Sequence, residues 1–542
     1  MTCTANKRYP VGIQTFSEIV EGGYVYIDKT AQIHRICNGP AKYVFLSRPR
    51  RFGKSLLSST IRSYFEGRSD LFKGLAMESL ETKWEQYPVF HFDLSLVKEL
   101  PIDEISAGIR RWLRQFEQKY GVESSSQNPG YALNEIIRAI YERDGLKSVI
   151  IVDEYDAPLL SHLHDEQECE QVRSILKEFY SPLKLLDPCL RFCFLTGITK
   201  FSQLSIFSTI NNLSNISMLP QYSTLCGITE QELYRTFSED IADLATCYKC
   251  TPEEMKTLLK QRYDGYHFSK DAPGVYNPFS LLSVLNDRML NFYWFSSGTP
   301  TFLLKQMERF GADFSTIEGS QAAASSFDQP TEGMTSVLPL LYQSGYLTIK
   351  DYDFDSSLYT LTIPNSEVRS GLMMNILPKL TGKTDQQNDC VAAGVKLALM
   401  KGDVPKAMEV LKSYYATIPY DEFWGGSRPL KELSAKEKVQ LKIQREIDFK
   451  RLFYTRFSFM NVQIYTEVHV AGGRTDAVMF FKDTIYVIEA KLNAKSARVA
   501  IDQIDANGYA TPYLSDGRRV VKLGINFSSR THTIKDYIAE QA

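Results

Sequence analysis

Several features are missing from this sequence of 542 residues, and each absence narrows the class of protein. No stretch approaches the roughly 20 consecutive apolar residues that a membrane-spanning helix needs. The N-terminal segment, residues 1–10, has no apolar core of the kind found in secretory signals. We therefore predict a cytoplasmic protein that does not associate with membranes.

Metal-binding cysteine clusters are also missing. The nine cysteines are scattered, and Cys247 and Cys250 form the one close pair at zinc-ligand spacing. No second pair and no histidine cluster completes a zinc site. The pattern is typical of reduced thiols in a cytosolic protein.

A strong charge of one sign is missing as well. The formal net charge is -2, with 62 basic and 64 acidic residues. Any binding of nucleic acid must therefore depend on local basic patches, because the chain has no overall positive field.

The length and the composition are those of a multidomain globular protein. A chain of 542 residues is too long for one hydrophobic core and predicts about three or four domains. Hydrophobic residues make up 44% and charged residues 23%, which is an ordinary balance. No internal repeat is evident.

The C-terminal part contains a candidate hairpin with an acidic residue on each strand. Residues 478–481 and 484–490 are typical of two strands joined by a tight turn at residues 482–483. If the hairpin folds about the middle of that turn, Asp476 lies opposite Glu489. Directly opposed residues of an antiparallel pair project from the same face.

Lys491 belongs to the same group, because it is two residues from Glu489 and shares its face of the strand. Two carboxylates and an ammonium group in one place suit a hard divalent cation and a phosphodiester. The other face, with residues 486, 488 and 490, is expected to pack against a helix. The alternative is an ion pair at the surface of an edge hairpin. Against it, Glu489 ends an apolar run, and a buried charge needs a partner or a metal.

A phosphate-binding loop is predicted near the N-terminus. Residues 42–46 are typical of a buried strand, and Gly53-Lys54-Ser55 precedes an apolar helix. This order of elements, a strand, a loop with Gly-Lys-Ser and then a helix, is typical of a P-loop. In a P-loop, backbone amides hold the phosphates. Lys54 would contact the β- and γ-phosphates, and Ser55 would bind Mg²⁺.

The loop departs from the general P-loop pattern at Arg48, where a glycine is usual. A non-glycine residue there is conformationally restricted, so the loop is expected to differ in shape. Arg48, Arg50 and Arg51 form a basic cluster. Three roles are open for it: clamping phosphates, acting on a neighbouring subunit of a homo-oligomer, or forming a solvated loop surface.

Two further strands complete the predicted nucleotide site. Residues 148–152 form an apolar strand that ends in Asp153 and Glu154. Asp153 would bind the Mg²⁺ shell, and Glu154 would activate the attacking water. The strand at residues 190–197 ends near Thr196, which either senses the γ-phosphate or caps the strand. The three strands predict an α/β fold with a parallel sheet and ligands at the carboxyl ends of its strands.

The segments between these two sites are less informative. Residues 230–271 have helical patterns and resemble the lid of an ATPase, and a further helix begins near Pro278. Residues 336–347 predict a helix that is followed by a hairpin around an acidic turn at residues 351–355, as in a winged helix. Because the acidic turn would repel phosphates, we favour a structural or protein-binding role over DNA binding.

Residues 392–415 are predicted to be helical. The segment from Pro429 to Lys450 is rich in charges of both signs. It is either a charged linker helix or the first helix of the C-terminal domain, with a solvated face as the default.

The sequence resembles a known family in five motifs. They are Arg48-Pro49-Arg50-Arg51-Phe52-Gly53-Lys54-Ser55, Asp153-Glu154-Tyr155-Asp156, Thr196-Gly197-Ile198-Thr199-Lys200-Phe201, Tyr263-Asp264-Gly265-Tyr266-His267-Phe268 and Tyr276-Asn277-Pro278. These are similar to the AAA-ATPase-like family common in gut Bacteroidetes, whose members typically carry a C-terminal PD-(D/E)xK nuclease-like domain. Arg48 is usual in that family, and the resemblance implies ATP binding at Lys54 and Ser55.

The C-terminal resemblance implies a nuclease site. Glu467, Asp476, Glu489 and Lys491 match the PD-(D/E)xK pattern, and Gln503 matches a glutamine that recurs on the following helix. Asp476 and Glu489 would hold Mg²⁺, and Lys491 would orient the nucleophile or stabilise the developing charge. Glu467 would complete the cation site or orient water, and Gln503 would position other groups.

Together these observations predict four parts. They are a P-loop AAA-ATPase-like core (1–228), a helical lid (229–300), a winged-helix-like and helical middle region (301–430) and a restriction-endonuclease-like α/β domain (431–542). The predicted function is an ATP-dependent or ATP-gated, Mg²⁺-dependent nuclease, with DNA favoured over RNA as its partner. The alternative is an NTP-driven switch or scaffold whose C-terminal domain binds nucleic acid or protein without cleavage.

Overall fold

The computed structural model describes residues 7–163, 165–200, 212–294, 301–310, 317–328, 334–381, 385–415, 463–470, 473–531 and 533–542. The chain divides into two compact units. Unit 1 comprises Met1–Ala312 and Glu318–Asn365, and unit 2 comprises Asp313–Ile317 and Ser366–Ala542. The division falls inside the predicted middle region, so the four domain bounds stay a prediction. The charged segment 429–450 lies outside the described residues.

Unit 1 is built on a five-stranded parallel sheet with the order β2-β3-β4-β1-β5. The strands are β1 (Tyr43–Ser47), β2 (Val89–Asp93), β3 (Ser148–Asp153), β4 (Leu190–Gly197) and β5 (Leu213–Asn215). The predicted α/β class and its three predicted strands are confirmed. Because β4 lies between β1 and β3, the phosphate loop, Thr196 and the acidic strand end meet at one edge of the sheet.

Helices cover both faces of this sheet. They are α1 (Phe16–Glu21), α2 (Thr30–Cys37), α3 (Lys54–Phe65), α4 (Ala76–Leu80), α5 (Ile102–Tyr120), α6 (Pro129–Asp144), α7 (Ala157–Ser161) and α8 (Glu166–Tyr180). A core cluster joins α5, α6 and α8 to one face. On the opposite face, Phe65 of α3 packs against Phe192 with ring centroids 5.4 Å apart. Burial on both faces explains the continuous apolar runs of β1 and β3.

The segment predicted as a lid is mostly helical. Its elements are β6 (Ile228–Thr229), α9 (Glu230–Cys247), α10 (Pro252–Tyr263), β7 (Val275–Tyr276) and α11 (Pro278–Asp287). Capping boxes begin α9 at Thr229 and α10 at Thr251. The side chain of Asn277 accepts the Ser280 amide, and Pro278 occupies the first turn of α11 as predicted.

A third part of unit 1, the wing region (residues 318–365), follows α12 (Thr301–Arg309). It contains β8 (Gln321–Ala322), α13 (Ala324–Phe327), α14 (Leu338–Gln343), β9 (Thr348–Asp353) and β10 (Leu358–Thr362). The strands form a sheet in the order β8-β10-β9. The predicted acidic turn is corrected: residues 351–353 continue β9 with both acids exposed, and the turn is 354–357.

Unit 2 contains a five-stranded mixed sheet with the order β11-β12-β13-β14-β15, and β13 and β14 are its parallel pair. The strands are β11 (Gln463–Val470), β12 (Gly473–Phe480), β13 (Thr484–Leu492), β14 (Arg519–Ser528) and β15 (Thr533–Gln541). The helices are α15 (Ser366–Thr381), α16 (Asp385–Met400), α17 (Val404–Tyr415) and α18 (Arg498–Ala506). The predicted hairpin, its turn and the predicted helical segment 392–415 are confirmed.

The two faces of β13 pack against different helices, as the alternation of its residues predicts. Tyr486, Ile488 and Ala490 join a core cluster with α16 and α17. Ile485 and Val487, on the face shared with Glu489, join a second cluster with α18. None of the described helices combines the length and the hydrophobicity that a membrane span requires.

A hydrogen bond between β13 and α16 allows the packing of these two elements to be tested. The Tyr486 hydroxyl donates to the Leu399 carbonyl at 2.9 Å, in a buried position. We expect Tyr486→Phe to destabilise unit 2 by about 1 kcal/mol, because one net hydrogen bond is lost and the ring packing is kept. Urea unfolding read by hydrogen exchange of unit 2 peptides measures the change. Tyr537→Phe, at a half-buried ring of the same core, is the control and should shift unfolding by less than about 0.5 kcal/mol.

Candidate functional site

The phosphate loop has the geometry of an anion cradle. Helix α3 begins at Lys54, and its N-cap Gly53 has a left-handed φ of 83°. A Cβ added at Gly53 would meet nothing within 4 Å, so open space lies beside the loop. The Lys54 ammonium is buried and donates to the Pro49 carbonyl at 3.1 Å, inside the loop. Backbone amides and a cation therefore surround the space.

Arg48 has no part in that cradle. Its guanidinium is only 1% exposed and donates to the Ser217 and Tyr222 carbonyls at 2.8 and 3.0 Å. It also stacks over the Phe268 ring at 4.1 Å. The left-handed positions of the loop are Arg51 and Gly53, so the backbone at Arg48 does not require glycine. Through these contacts Arg48 stabilises the phosphate loop without lining the open space beside it.

Arg50 and Arg51 face the other way and line a cleft beside the loop. The cleft has a volume of about 380 Å³, and its lining includes both arginines, Lys54, Ser55 and Glu154. The Arg51 guanidinium is held over the Phe279 ring at 4.4 Å. The structure thus separates the three arginines into one structural residue and two residues at the cleft.

The acidic side of the cleft comes from the end of β3. The carboxylate of Asp153, the last residue of β3, accepts the amide of Glu154 at 3.1 Å and lies near Ser55 of the phosphate loop. Burial raises the pKa of Asp153 to about 6, although Ser55 and the Lys54 charge lower it. Glu154 follows in a left-handed conformation with φ 48°, which is rare outside glycine and concentrates at functional sites.

Thr196, at the end of β4, carries an unused polar atom. Its side chain is fully buried, and no described residue offers its Oγ1 a hydrogen-bond partner. The predicted alternative for Thr196 was a cap at the end of the strand. Thr199, three residues later, makes the hydrogen bonds of that kind. The Thr199 hydroxyl donates to Asp156 Oδ2 at 2.6 Å, and the Thr199 amide donates to the same atom at 2.7 Å.

Several cleft residues were not found by sequence reasoning. Residues 10–14 form part of the cleft wall, and Ser95 and Lys98 contribute from the loop after β2. Asp93 pairs in register with Asp153, so the end of β2 reaches the same edge of the sheet. The parallel order of β2 and β3 was the missing information, because residues 89–93 were not predicted as a strand.

A smaller apolar pocket of about 100 Å³ adjoins the cleft and shares Gly53, Leu56 and Pro278 with it. Its lining includes Phe52 and Phe237. An apolar pocket that continues from a basic cleft suits a ligand with a flat apolar end and a polyanionic end.

In unit 2, strands β12 and β13 bring three predicted residues together. The register Ala477↔Ile488 places Asp476 opposite Glu489, as predicted. Asp476 N donates to Glu489 Oε2 at 3.3 Å, and Ala490 N donates to Asp476 Oδ2 at 2.8 Å. Lys491 Nζ lies 2.9 Å from Glu489 Oε1.

Burial sets the electrostatics of this group. Asp476 and Glu489 are 6% and 2% exposed. Burial, and then the charge of Asp476, raise the pKa of Glu489 above its ordinary value, while Lys491 offsets part of this. Two buried carboxylates with one ammonium leave an excess of negative charge, which a bound cation would neutralise.

The remaining predicted residues are less fully placed. The pairs Thr466↔Ala477 and Val468↔Thr475 put Glu467 at the position across from Asp476, but its side chain lies outside the described residues. Among the described residues, no group of three or more His, Cys, Asp or Glu side chains forms a metal site. Gln503 lies on α18, where its amide donates to the Tyr509 hydroxyl at 3.4 Å.

Comparisons with known proteins match the two regions of the chain that contain these groups. Residues 10–207 match the family described as "Predicted AAA-ATPase", and residues 444–537 match the PD-(D/E)XK nuclease superfamily. Over 550 residues the chain is 30% identical to a protein of Azotobacter chroococcum mcd 1 named "Uncharacterized protein in vnfD 5'region", with 99% of each chain covered. The chain belongs to the AAA-ATPase-like family with a C-terminal PD-(D/E)XK nuclease domain. The resemblance seen in its motifs is thereby confirmed.

The residues present in this AAA-ATPase-like protein fit a nucleoside triphosphate with Mg²⁺. The open space at Gly53, the buried ammonium of Lys54 and the unpaired hydroxyl of Thr196 would suit a phosphate chain. Ser55 and Asp153 offer hard oxygen ligands of the kind that Mg²⁺ prefers.

The nuclease-domain residues also fit a divalent cation. Asp476 and Glu489 supply hard oxygen ligands at one point, and Glu467 occupies the adjacent position on β11. The raised pKa of Glu489 has its cause in buried negative charge, which a cation at this point would offset.

Thr196 in β4 and Thr199 just after it give two predictions of opposite sign for the free energy of unfolding. We expect Thr196→Val to stabilise the nucleotide-free protein by about 1 kcal/mol, because it removes a buried hydroxyl that is not hydrogen-bonded. Thr199→Val should destabilise it by about 2 kcal/mol, because a hydrogen bond to a carboxylate is lost. Urea unfolding of both variants measures the two shifts. A stability loss in Thr196→Val would show that its hydroxyl has a partner.

Proposed function

We propose that this protein binds and hydrolyses ATP in unit 1 and cleaves phosphodiester bonds of nucleic acid in unit 2. The observation that carries the nuclease part is the group of the buried Asp476 and Glu489 with the half-buried Lys491, which hydrogen bonds and an ion pair hold together across β12 and β13. The ATPase part is supported by the meeting of the phosphate loop, Thr196 and Asp153 at one edge of the sheet.

In unit 1 the roles follow from position. Lys54 would exchange the Pro49 carbonyl for phosphate oxygens, and Ser55 with Asp153 would hold Mg²⁺. Glu154 lies at the cleft, where it would orient a water and accept its proton. Arg50 and Arg51 would add positive charge along the phosphate chain.

In unit 2 the carboxylates would hold Mg²⁺, which when bound lowers the pKa of a coordinated water and neutralises charge on phosphate. Glu467 would complete the ligand set from the neighbouring strand. The Lys491 ammonium, 2.9 Å from Glu489, would stabilise charge that develops on the phosphoryl oxygens. Gln503 and Tyr509 lie further along the same face and would position substrate or water.

The partner that this chemistry requires is a nucleic acid, and we propose DNA ahead of RNA. The nucleotide state of unit 1 would control the rate of cleavage. The competing function is an NTP-driven switch or scaffold whose C-terminal domain binds without cleavage, and the first experiment below separates the two.

The nuclease part is tested by cleavage of plasmid DNA, single-stranded DNA and RNA with Mg²⁺ or Mn²⁺. We expect wild type to cleave at least one substrate and Lys491→Ala to be slower by roughly 10²-fold or more, because phosphate charge is no longer neutralised. Lys482→Ala, at an exposed lysine in the turn of the same hairpin, is the matched control and should cleave like wild type.

Removal of metal with EDTA should stop cleavage completely. If wild type and Lys491→Ala act alike on all three substrates, the nuclease assignment is wrong and the binding function remains.

The ATPase part is tested by turnover and by nucleotide binding. Glu154→Gln should bind ATP as wild type does and hydrolyse it roughly 10²- to 10⁴-fold more slowly, because the proton acceptor is lost. Lys54→Ala should lose affinity by about tenfold or more, because a charge-assisted hydrogen bond to phosphate is removed. Glu142→Gln, at an exposed helical site, is the control for charge loss. Equal turnover in Glu154→Gln and wild type would contradict the role of Glu154.

A further inference from the structure

The segment that follows Thr196 leaves the nucleotide site and enters the wing region. The Lys200 ammonium forms an ion pair with Asp328, and the lysine side chain is 3% exposed. The Lys200 amide donates to Gln343 Oε1 at 2.7 Å. Gln343 is the last residue of α14, and its own amide donates to the Phe327 carbonyl at 3.3 Å. One residue of the ATPase core is thus held by two elements of the wing region.

The other end of the same segment is held by the loop that follows β3 and contains Glu154, the proposed proton acceptor. The Asp156 carboxylate, two residues after Glu154, accepts the amides of Ile198 and Thr199. The Tyr155 hydroxyl donates to the Thr199 carbonyl at 2.9 Å. Residues 198–200 therefore form a short bridge between the Glu154 loop and the wing region, and this bridge begins two residues after the unpaired Thr196 hydroxyl.

The wing region also contacts the phosphate loop directly. Gly345, two residues after the end of α14, packs so closely that a Cβ there would lie 2.7 Å from the Pro49 Cβ. A second, indirect contact passes through residues 266–267: Phe52 of the loop packs edge-on against Tyr266 with centroids 4.7 Å apart, and the His267 amide donates to Thr348 of the wing region. The wing region therefore borders the nucleotide site on both the loop side and the β4 side.

A buried ion pair generally adds little net stability. Burial lowers the pKa of Lys200 and raises that of Asp328, so both charges are desolvated at a cost that their attraction partly offsets. Buried ion pairs can often be replaced by apolar side chains of similar volume without loss of stability. What the pair provides is one defined position for the end of β4, since charges must face each other while apolar groups tolerate shifts.

We propose that Lys200 is a positioning residue through which the wing region, by Asp328 and Gln343, holds the end of β4 so that Thr196 meets the terminal phosphate of ATP. This inference rests on the proposed ATP binding of unit 1. By the reciprocity of coupled equilibria, ATP stabilises the α14 end of the wing region and ADP, which lacks the terminal phosphate, does not. The wing region is then the part of unit 1 that reports which nucleotide is bound.

The first measurement uses wild-type protein and needs no variant. Hydrogen exchange is followed for peptides covering residues 338–349 with a non-hydrolysable ATP analogue, with ADP and with neither. We expect exchange to be about fivefold slower or more with the ATP analogue than with ADP. Equal exchange with the two nucleotides, under conditions where both are bound, overturns the inference.

The second measurement removes the charges and keeps the packing. In the double variant Lys200→Met with Asp328→Leu, we expect the affinity for ADP to stay within about twofold of wild type. The kcat for ATP hydrolysis should fall by about fivefold or more, and ATP should no longer protect residues 338–349 from hydrogen exchange. Lys200→Arg keeps the ion pair and should keep the protection. A structural role alone would change the unfolding midpoint without this split between ADP affinity and kcat.

The outcomes separate this inference from the proposed function. If wild type binds no nucleotide, both fall. If wild type binds and hydrolyses ATP and the double variant keeps the wild-type kcat and protection, only the role of Lys200 falls. If the double variant does not fold, the wild-type comparison of ATP analogue with ADP decides alone.

Discussion

Both sites depend on one kind of interaction: a buried carboxylate that accepts backbone amides from a neighbouring strand or its exit loop. In unit 1, Asp156 after β3 accepts the amides of Ile198 and Thr199 after β4. In unit 2, Asp476 on β12 accepts the amide of Ala490 on β13, and Glu489 accepts the amide of Asp476 in return. A charge that is desolvated in this way stays ionised only with such donors or a cation. The bonds therefore hold buried acidic groups in fixed positions and leave them in need of positive charge.

The two units place positive charge beside their buried carboxylates in different ways. Unit 1 supplies positive charge from a loop and its helix N-terminus, with Lys54 beside Asp153 and the arginines at the cleft. Unit 2 supplies it from the same strand, with Lys491 two residues after Glu489. The first arrangement places cations along a cleft of about 380 Å³, which would suit a nucleotide. The second pairs two buried carboxylates with one ammonium group, which would suit a metal ion beside a phosphodiester.

Much of this could be predicted, because each site is encoded by short-range patterns. The alternation of β13 fixed which residues share a face with Glu489, and the apolar runs of β1, β3 and β4 identified strands buried on both faces. What could not be predicted depends on contacts between distant segments. Arg48 looked like a phosphate ligand, and only the position of Ser217 and Tyr222 shows that it braces the loop. Lys200 is a second example: it belongs to a sequence motif, but its role depends on an ion pair with Asp328, which is distant in the sequence.

The proposed divalent-cation site of Asp476 and Glu489 is the basis of the proposed nuclease function. The most direct test is calorimetric titration of Mn²⁺ into the nucleotide-free full chain and into Asp476→Asn, which keeps the side-chain shape and removes one charge. We expect wild type to show a binding event that is lost or weakened by at least about tenfold in the variant, since one of two charged ligands is gone. Identical isotherms for the two proteins would contradict this expectation.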